Sequence, residues 1–210
     1  MLISAIMPTR NRPRWVVNAL ECYHAQTWPR EDRELVIVDD EDAPSFSTPP
    51  EVHGIHYHRM RQRLTVGAKR NIACSRATGS IVIHWDDDDW SAPQRMEDQI
   101  NRLLSSNVLL TGYRSMIFES AETGERWKFT GHAHLALGTS LCYRRELWER
   151  TPFQARTLER QAGEDGAFVM HTPSLITVDA GNMMIASIHS NNTSVRKIDQ
   201  GLREWQKLES

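Results

Sequence analysis

The sequence predicts an α/β protein: a single, mostly parallel central sheet with helices on both faces. Two observations predict it. Short apolar runs alternate with segments whose apolar residues recur at helical spacing through the first half of the chain. The runs themselves, such as Leu35-Val36-Ile37-Val38 and Ile81-Val82-Ile83, are continuously apolar, as in strands covered on both sides.

The elements follow in order. Leu2–Met7 reads as a buried strand ended by Pro8. Pro13 suits the first turn of a helix, on which Trp15, Val16, Ala19, Leu20 and Tyr23 share a face. Glu34–Val38 is a second strand, running into Asp39 and Asp40, and Ile55–His58 is a weaker third. Thr65–Thr78 reads as a helix with Gly79 as its stop. Ser80–Trp85 is a further strand, followed at once by Asp86-Asp87-Asp88-Asp89. Ser91 and Gln94 have capping-box spacing before a helix that turns Met96, Ile100, Leu103 and Leu104 inward. In the second half, Val108–Phe118 and Arg126–Thr130 pair around Thr123-Gly124, and Leu141–Tyr143 forms a short strand. Glu164–Met170 reads as a helix, and Leu175–Val178 and Met183–His189 as late strands. Gln200–Ser210 is expected to be a short C-terminal helix with Leu202, Trp205 and Leu208 on one side. The Pro- and Ser-rich stretch Ala43–Pro50 reads as a loop.

In open parallel sheets, ligands bind beyond the C-terminal strand ends. Pro8–Arg12, Asp39–Asp42 and Asp86–Asp89 all follow strand ends, so folding gathers them on one edge.

Totals bound the class. The 210 residues make one ordinary domain, and 40% hydrophobic with 25% charged residues describes a globular chain. With 25 basic and 27 acidic side chains the formal charge is −2, which neither implies nor excludes a nucleic-acid partner. No apolar run approaches the ~20 residues that span a bilayer. The three widely spaced cysteines, Cys22, Cys74 and Cys142, read as thiols in a reducing compartment, so a cytoplasmic location is expected, with work at a membrane face left open.

Four consecutive aspartates after a buried strand repel one another unless a cation or basic groups offset them. Hard carboxylate oxygens suit Mg²⁺ or Mn²⁺. The run is not a calcium EF-hand loop: with Asp86 first, the fifth position is Trp90 and the glycine position is Ser91. No Cys/His spacing matches a structural zinc site.

These residues resemble family 2 glycosyltransferases. Ile3–Arg12 is similar to the family's opening strand and Val36–Asp40 to its second. Ala68-Lys69-Arg70-Asn71, Ala77–Val82, and Asp86–Asp89 with Pro93 look like its donor-binding segment and DXD motif. Gly163-Glu164-Asp165 resembles its late acidic motif, and His189 with Asn192 and Ser194 its C-terminal histidine motif. The resemblance implies the GT-A fold, with residues 1–105 binding a nucleotide-sugar donor, 106–199 binding the acceptor, and the helix of 200–210 beyond.

The resemblance also implies roles. Asp88 is the main ligand of Mn²⁺ or Mg²⁺, and His189 a second ligand. Asp86 binds the metal indirectly or holds the donor ribose; Asp87 and Asp89 are less defined. Asp165 is the general base of an inverting reaction. Pro8, Thr9 and Arg10 line the nucleotide pocket, Asp40 accepts a hydrogen bond from the base with Asp39 as the fallback, and Arg70 neutralises the diphosphate or touches the base. Trp90 and Trp127 are candidate sugar platforms, and Arg59, Arg61, Arg63, Lys69 and Arg70 form a basic stretch.

Two departures bear on the donor base, for which a UDP-sugar is the expectation: Arg10 stands where the family often has an aromatic, and Glu41-Asp42-Ala43-Pro44 follows the paired aspartates. The short chain favours transfer of single sugars over polymer synthesis. The acceptor is open among a glycan, a lipid-linked sugar, a protein and a modified DNA base. A nucleotidyltransferase is the alternative enzyme, although Met7-Pro8-Thr9-Arg10 lacks its glycine-rich loop. A non-catalytic nucleotide-sugar-binding module is the alternative without turnover, although Asp88 and Asp165 are both retained.

Overall fold

The computed structural model describes residues 1–41, 54–155, 157–158, 163–192, 198 and 204–209. The loop expected at Ala43–Pro50, and Ser194 and Leu202 with it, lie outside the described residues.

The first half is a parallel unit. Strand β1 (Ile3–Thr9) is flanked by β2 (Arg33–Asp39) and β4 (Ile81–His84), and β3 (Ile55–Arg59) lies beyond β2, all parallel. Side chains alternate across β1 and sort the core into two layers. Ile3, Ala5 and Met7 pack with Val16, Ala19 and Tyr23 of helix α1 (Pro13–His24) and with Met96, Ile100 and Leu103 of α3 (Arg95–Ser105). Ile6 faces the other way, onto Ala73 and Cys74 of α2 (Val66–Arg76), Leu147 of α4 (Arg145–Arg150) and Phe168 of α5 (Glu164–Met170). The sheet is therefore covered on both faces, as its apolar runs require.

The sheet runs in the order β11-β7-β6-β8-β4-β1-β2-β3. Strand β8 (Cys142–Arg144) lies antiparallel to β4 and to the long β6 (Leu110–Ser120). Strand β7 (Arg126–Thr130) makes a hairpin with β6, with Gly124 at φ +72° in the turn. Strands β9 (Leu175–Asp179) and β10 (Met184–Ile188) both run parallel to β6, and β10 holds the two-residue β5 (Trp90–Ser91) antiparallel. The parallel character thus belongs to the first half; the second half is mixed.

Three local expectations are corrected. The C-terminal helix expected over 200–210 is not formed at its described positions: Trp205–Lys207 is strand β11, paired with β7, and Trp205 packs on Phe118 with ring centroids 4.9 Å apart. Ser91 caps no helix, because it sits in β5 and accepts a hydrogen bond from Arg95 Nη1 at 2.8 Å. Leu104 is exposed, while Met96, Ile100 and Leu103 are buried as expected. Gly79 serves by its lack of a side chain: α2 ends at an extended Ala77, and a Cβ at Gly79 would stand 2.7 Å from Ser4 Oγ and Leu2 O. Glu34 completes that corner, accepting from Ser4 Oγ at 2.6 Å and the Thr78 amide at 2.6 Å. Burial opposes its charge, but these bonds outweigh it and hold its pKa below the ordinary value. No helix among the described residues is long and apolar enough to cross a membrane.

Candidate active site

Beyond His84 the chain turns through Asp86–Asp89 at the C-terminal edge of the parallel strands. Arg95 fixes this loop from beneath. Its buried guanidinium donates to the carbonyls of His84 at 2.7 Å and Thr139 at 3.0 Å, and lies 4.8 Å from the centre of the Trp85 ring.

Each aspartate has its own partners. Asp86 pairs with Arg70 Nη2 at 3.2 Å. Asp87 accepts from Thr9 Oγ1 at 2.6 Å and Arg12 Nη1 at 2.8 Å. Asp88 Oδ2 accepts from Arg12 Nη1 at 2.8 Å, His189 Nε2 at 3.0 Å and Asn192 Nδ2 at 3.3 Å. Asp89 accepts the Thr139 hydroxyl and, at 2.9 Å, the Ser187 amide. The repulsion expected of the cluster is real. Burial and the charge of Asp88 push the Asp87 carboxyl up to about 6. Burial with Asp88 and Asp86 pushes Asp89 up to about 8. Asp86 goes the other way: burial disfavours its charge, but Arg70 outweighs burial and lowers its pKa.

The loop forms one wall of a cleft of about 220 Å³, with Arg12, Arg70, Glu164 and Asp165 also lining it. Arg70 is 4% exposed and joins the two acidic motifs, reaching Glu164 Oε1 at 2.7 Å as well as Asp86. Burial opposes its charge, but Asp86, Glu164 and Asp165 outweigh it, so its pKa lies above the ordinary value. Its Nε, also buried, has no hydrogen-bond partner. Glu164, by contrast, is raised, because burial and Asp165 exceed what Arg70 offsets. Asp165 accepts its neighbour Gly166's amide at 2.8 Å through Oδ1. Its Oδ2 lies against Gly138, where a Cβ would stand only 1.6 Å away. Asp165 can hold this position because residue 138 has no side chain.

A second cavity, of about 510 Å³, adjoins the first and has the opposite charge. Pro8, Thr9, Arg10, Arg12, Arg63 and Lys69 line it. Pro8 and Arg12 border both cavities. Lys69 reaches across from α2 to the Thr9 carbonyl at 3.0 Å and to Asp40 Oδ1 at 2.8 Å.

Comparison with known proteins decides the family. The model of Glycosyl transferase family 2 matches residues 4–177. The chain belongs to this family. Among curated relatives, the poly(ribitol-phosphate) β-N-acetylglucosaminyltransferase TarS of Staphylococcus aureus strain Mu50 is 28% identical over 108 residues, 47% of this chain and 18% of TarS. Among solved structures, S. aureus TarS 1–349 in complex with UDP-GlcNAc superposes with a TM-score of 0.71 at 18% identity, covering 91% of this chain and 60% of that one. Mannosyltransferase PcManGT of Pyrobaculum calidifontis, in complex with GDP-Man and Mn²⁺, gives 0.68 at 18% identity, covering 90% and 57%. The fold is GT-A. This chain spans less than two thirds of the length of these relatives.

Within the family 2 framework, the structure brings Asp86, Asp87, Asp88 and Asp165 to one cleft and puts His189 on Asp88. Asp88 Oδ2 and His189 Nε2 lie 3.0 Å apart across a hydrogen bond, so a cation using both would take the place of the bridging proton. His189 is backed by Trp15, stacked at 4.7 Å and 23°. Among the described residues no group of three or more His, Cys, Asp or Glu side chains makes a metal site by itself. One carboxylate completed by substrate phosphates is within how Mg²⁺ binds, so Asp88 fits; His189 accepts the Asn191 amide at Nδ1, 3.1 Å away, and would have to move its proton from Nε2 to join it.

Two residues given glycosyltransferase roles already have partners in this structure. Asp40 offers no free acceptor to a nucleotide base: its side chain is 0% exposed, and its oxygens accept Lys69 Nζ and the Leu64 amide, the latter at 2.6 Å. Asp39, the fallback, is also buried and accepts Tyr57 OH at 2.6 Å. Arg70, in the cleft lining, already holds two carboxylates and joins the two acidic motifs. Arg10 instead lines the basic cavity and donates to the Asp40 carbonyl. Trp127 lies on β7, 5.9 Å from Lys207 Nζ, away from the cleft lining, while the half-exposed Trp90 borders a separate hollow behind the acidic loop.

Sequence reasoning missed Gly138 and Thr139, which no local pattern marks. It also missed the role of Arg12, whose place one turn from Pro8-Thr9 was the available signal.

Proposed function

We propose that this chain transfers a single sugar from a nucleotide-sugar donor, a UDP-sugar by preference, to an acceptor hydroxyl with inversion at the anomeric carbon. The observation that carries the reading is one cleft holding both acidic motifs, continuous through Pro8 and Arg12 with a basic cavity. Diphosphate oxygens suit the basic cavity, where Arg10, Arg12, Arg63 and Lys69 offer donors. Asp88 and His189 would hold Mn²⁺ or Mg²⁺, which supplies Lewis-acid stabilisation of the departing diphosphate. Asp165 takes the acceptor proton as the acceptor oxygen attacks, and Gly138 leaves room for its carboxylate beside the reacting centre. Glu164, beside Asp165 in the same lining, is occupied by Arg70 Nη1 at 2.7 Å.

Support for a UDP-sugar comes from the TarS complex with UDP-GlcNAc, and for Mn²⁺ from the PcManGT complex. The test is release of nucleoside diphosphate from UDP-GlcNAc, other UDP-sugars and GDP-Man in the presence of Mn²⁺. Slow release without acceptor is expected from at least one donor. No release from any donor would favour a binding module without turnover.

A further inference from the structure

We propose that Arg12 is a donor-binding residue that competes with the divalent cation for Asp88 and passes to the donor diphosphate when cation and donor bind together. The proposal deepens the reading above and rests on it for the chemistry of the donor.

Arg12 occupies the cap position of α1 but makes no side-chain cap bond. Its guanidinium reaches across the cleft instead. Nη1 lies 2.8 Å from Asp87 Oδ1 and 2.8 Å from Asp88 Oδ2, and Nη2 donates to the Asn191 carbonyl. Among the described residues it is the only Lys or Arg paired with either aspartate. Asp88 Oδ2 therefore receives Arg12, His189 and Asn192 together. A carboxylate oxygen has about two lone-pair sites. A cation bound by Asp88 Oδ2 and His189 Nε2 would replace the histidine hydrogen bond, and would leave the Arg12 guanidinium on the same oxygen, facing the cation.

Electrostatics then acts on Arg12. Arg12 is the fixed cation of the three, and a divalent ion a few ångströms from a guanidinium repels it strongly where water is scarce. His189 is held by its stack on Trp15 and is itself a candidate ligand. The guanidinium also has somewhere to go: Arg12 borders the basic cavity as well as the acidic cleft, and its side chain is 15% exposed. A diphosphate running from that cavity towards Asp88 passes the guanidinium, whose planar fork matches phosphate oxygens. The residue that neutralises the aspartates before binding thus clamps the phosphates after it.

The test uses the full chain. Mn²⁺ affinity is measured by electron paramagnetic resonance with no nucleotide present. Affinity for UDP or GDP, whichever binds the wild type, is then measured by calorimetry at saturating Mn²⁺. Arg12→Ala should bind Mn²⁺ about tenfold more tightly and the nucleotide about tenfold more weakly, ~1.4 kcal/mol in each direction. The opposite signs are the signature, since a damaged fold weakens both. Arg12→Gln, closer in size, should give the same pattern at smaller amplitude and is read if circular dichroism shows Arg12→Ala misfolded. Unchanged or weaker Mn²⁺ binding in a folded variant, or unchanged nucleotide affinity, would overturn the proposal. A wild type that binds Mn²⁺ but no nucleoside diphosphate would sink the glycosyltransferase reading and the donor half of this one, while the Mn²⁺ titration would still decide whether Arg12 competes for Asp88.

Discussion

Asp165→Asn is expected to lower turnover by about 10²–10⁴-fold, the usual worth of a positioned general base, and to leave nucleoside diphosphate binding unchanged. The substitution keeps the shape and the bond from the Gly166 amide to Oδ1 but removes the basicity. Its site is a tight one, because Oδ2 rests against the bare Cα of Gly138. Gly138→Ala should therefore produce the same phenotype by a different route: the new methyl collides with the carboxylate and turns it away. Both variants are read by release of nucleoside diphosphate from the donor that the wild type turns over, with water as acceptor, and by calorimetry of the nucleoside diphosphate. Near-normal turnover in Asp165→Asn would remove Asp165 as the base.

Arg70→Met is expected to cost about 3–5 kcal/mol of stability, as breaking a buried ion pair does. The guanidinium is 4% exposed and holds Glu164 at 2.7 Å and Asp86 at 3.2 Å, and neither carboxylate gains another cation when it goes. The pH dependence has a definite sign. In the wild type the Asp86 pKa is depressed, so its contribution is present above its unfolded value near 3.9 and is lost as pH falls through the folded one. In the variant the buried Glu164 and the partly buried Asp86 lack their cation, and their folded pKa values rise above the unfolded ones. The folded variant then binds more protons than the unfolded chain, so it regains stability as pH falls towards the unfolded values. Denaturant melts at pH 5 and pH 8 check this. A loss of the same size at both would mean that shape, not charge, sets the penalty.

How much of this was legible in the sequence depends on how local each signal is. The strands β1, β2 and β4 were readable because a run such as Leu35–Val38 can only be buried on both faces. The helix over Glu164–Met170 was expected and is formed, and the four aspartates stood out because adjacent like charges need a cation or basic groups to offset them. What failed was long-range. Trp205 looks helical beside Leu202 and Leu208, but pairing with β7 and packing on Phe118 overrode that spacing. Ser91 and Gln94 have capping spacing, yet β10 captures Ser91 into the sheet. Asp40 and Arg70 fit family positions, but their partners, Lys69 on one side and Glu164 on the other, are set by how α2 packs against β1 and α5. Arg12 was hidden for the same reason: its aspartates lie 75 and 76 residues away. Gly138 was invisible because the need for a bare Cα comes from Asp165, which folding alone brings to it.

The most direct measurement of the central claim is the melting temperature with UDP or GDP and Mn²⁺, for the wild type and for Asp88→Ala. A ligand that binds the folded state raises its apparent stability. The wild type should melt higher with nucleotide and Mn²⁺ together than with either alone, and Asp88→Ala should lose that joint increment. An equal increment in Asp88→Ala, or none in the wild type with any nucleoside diphosphate, would contradict a cation and a diphosphate meeting at this cleft.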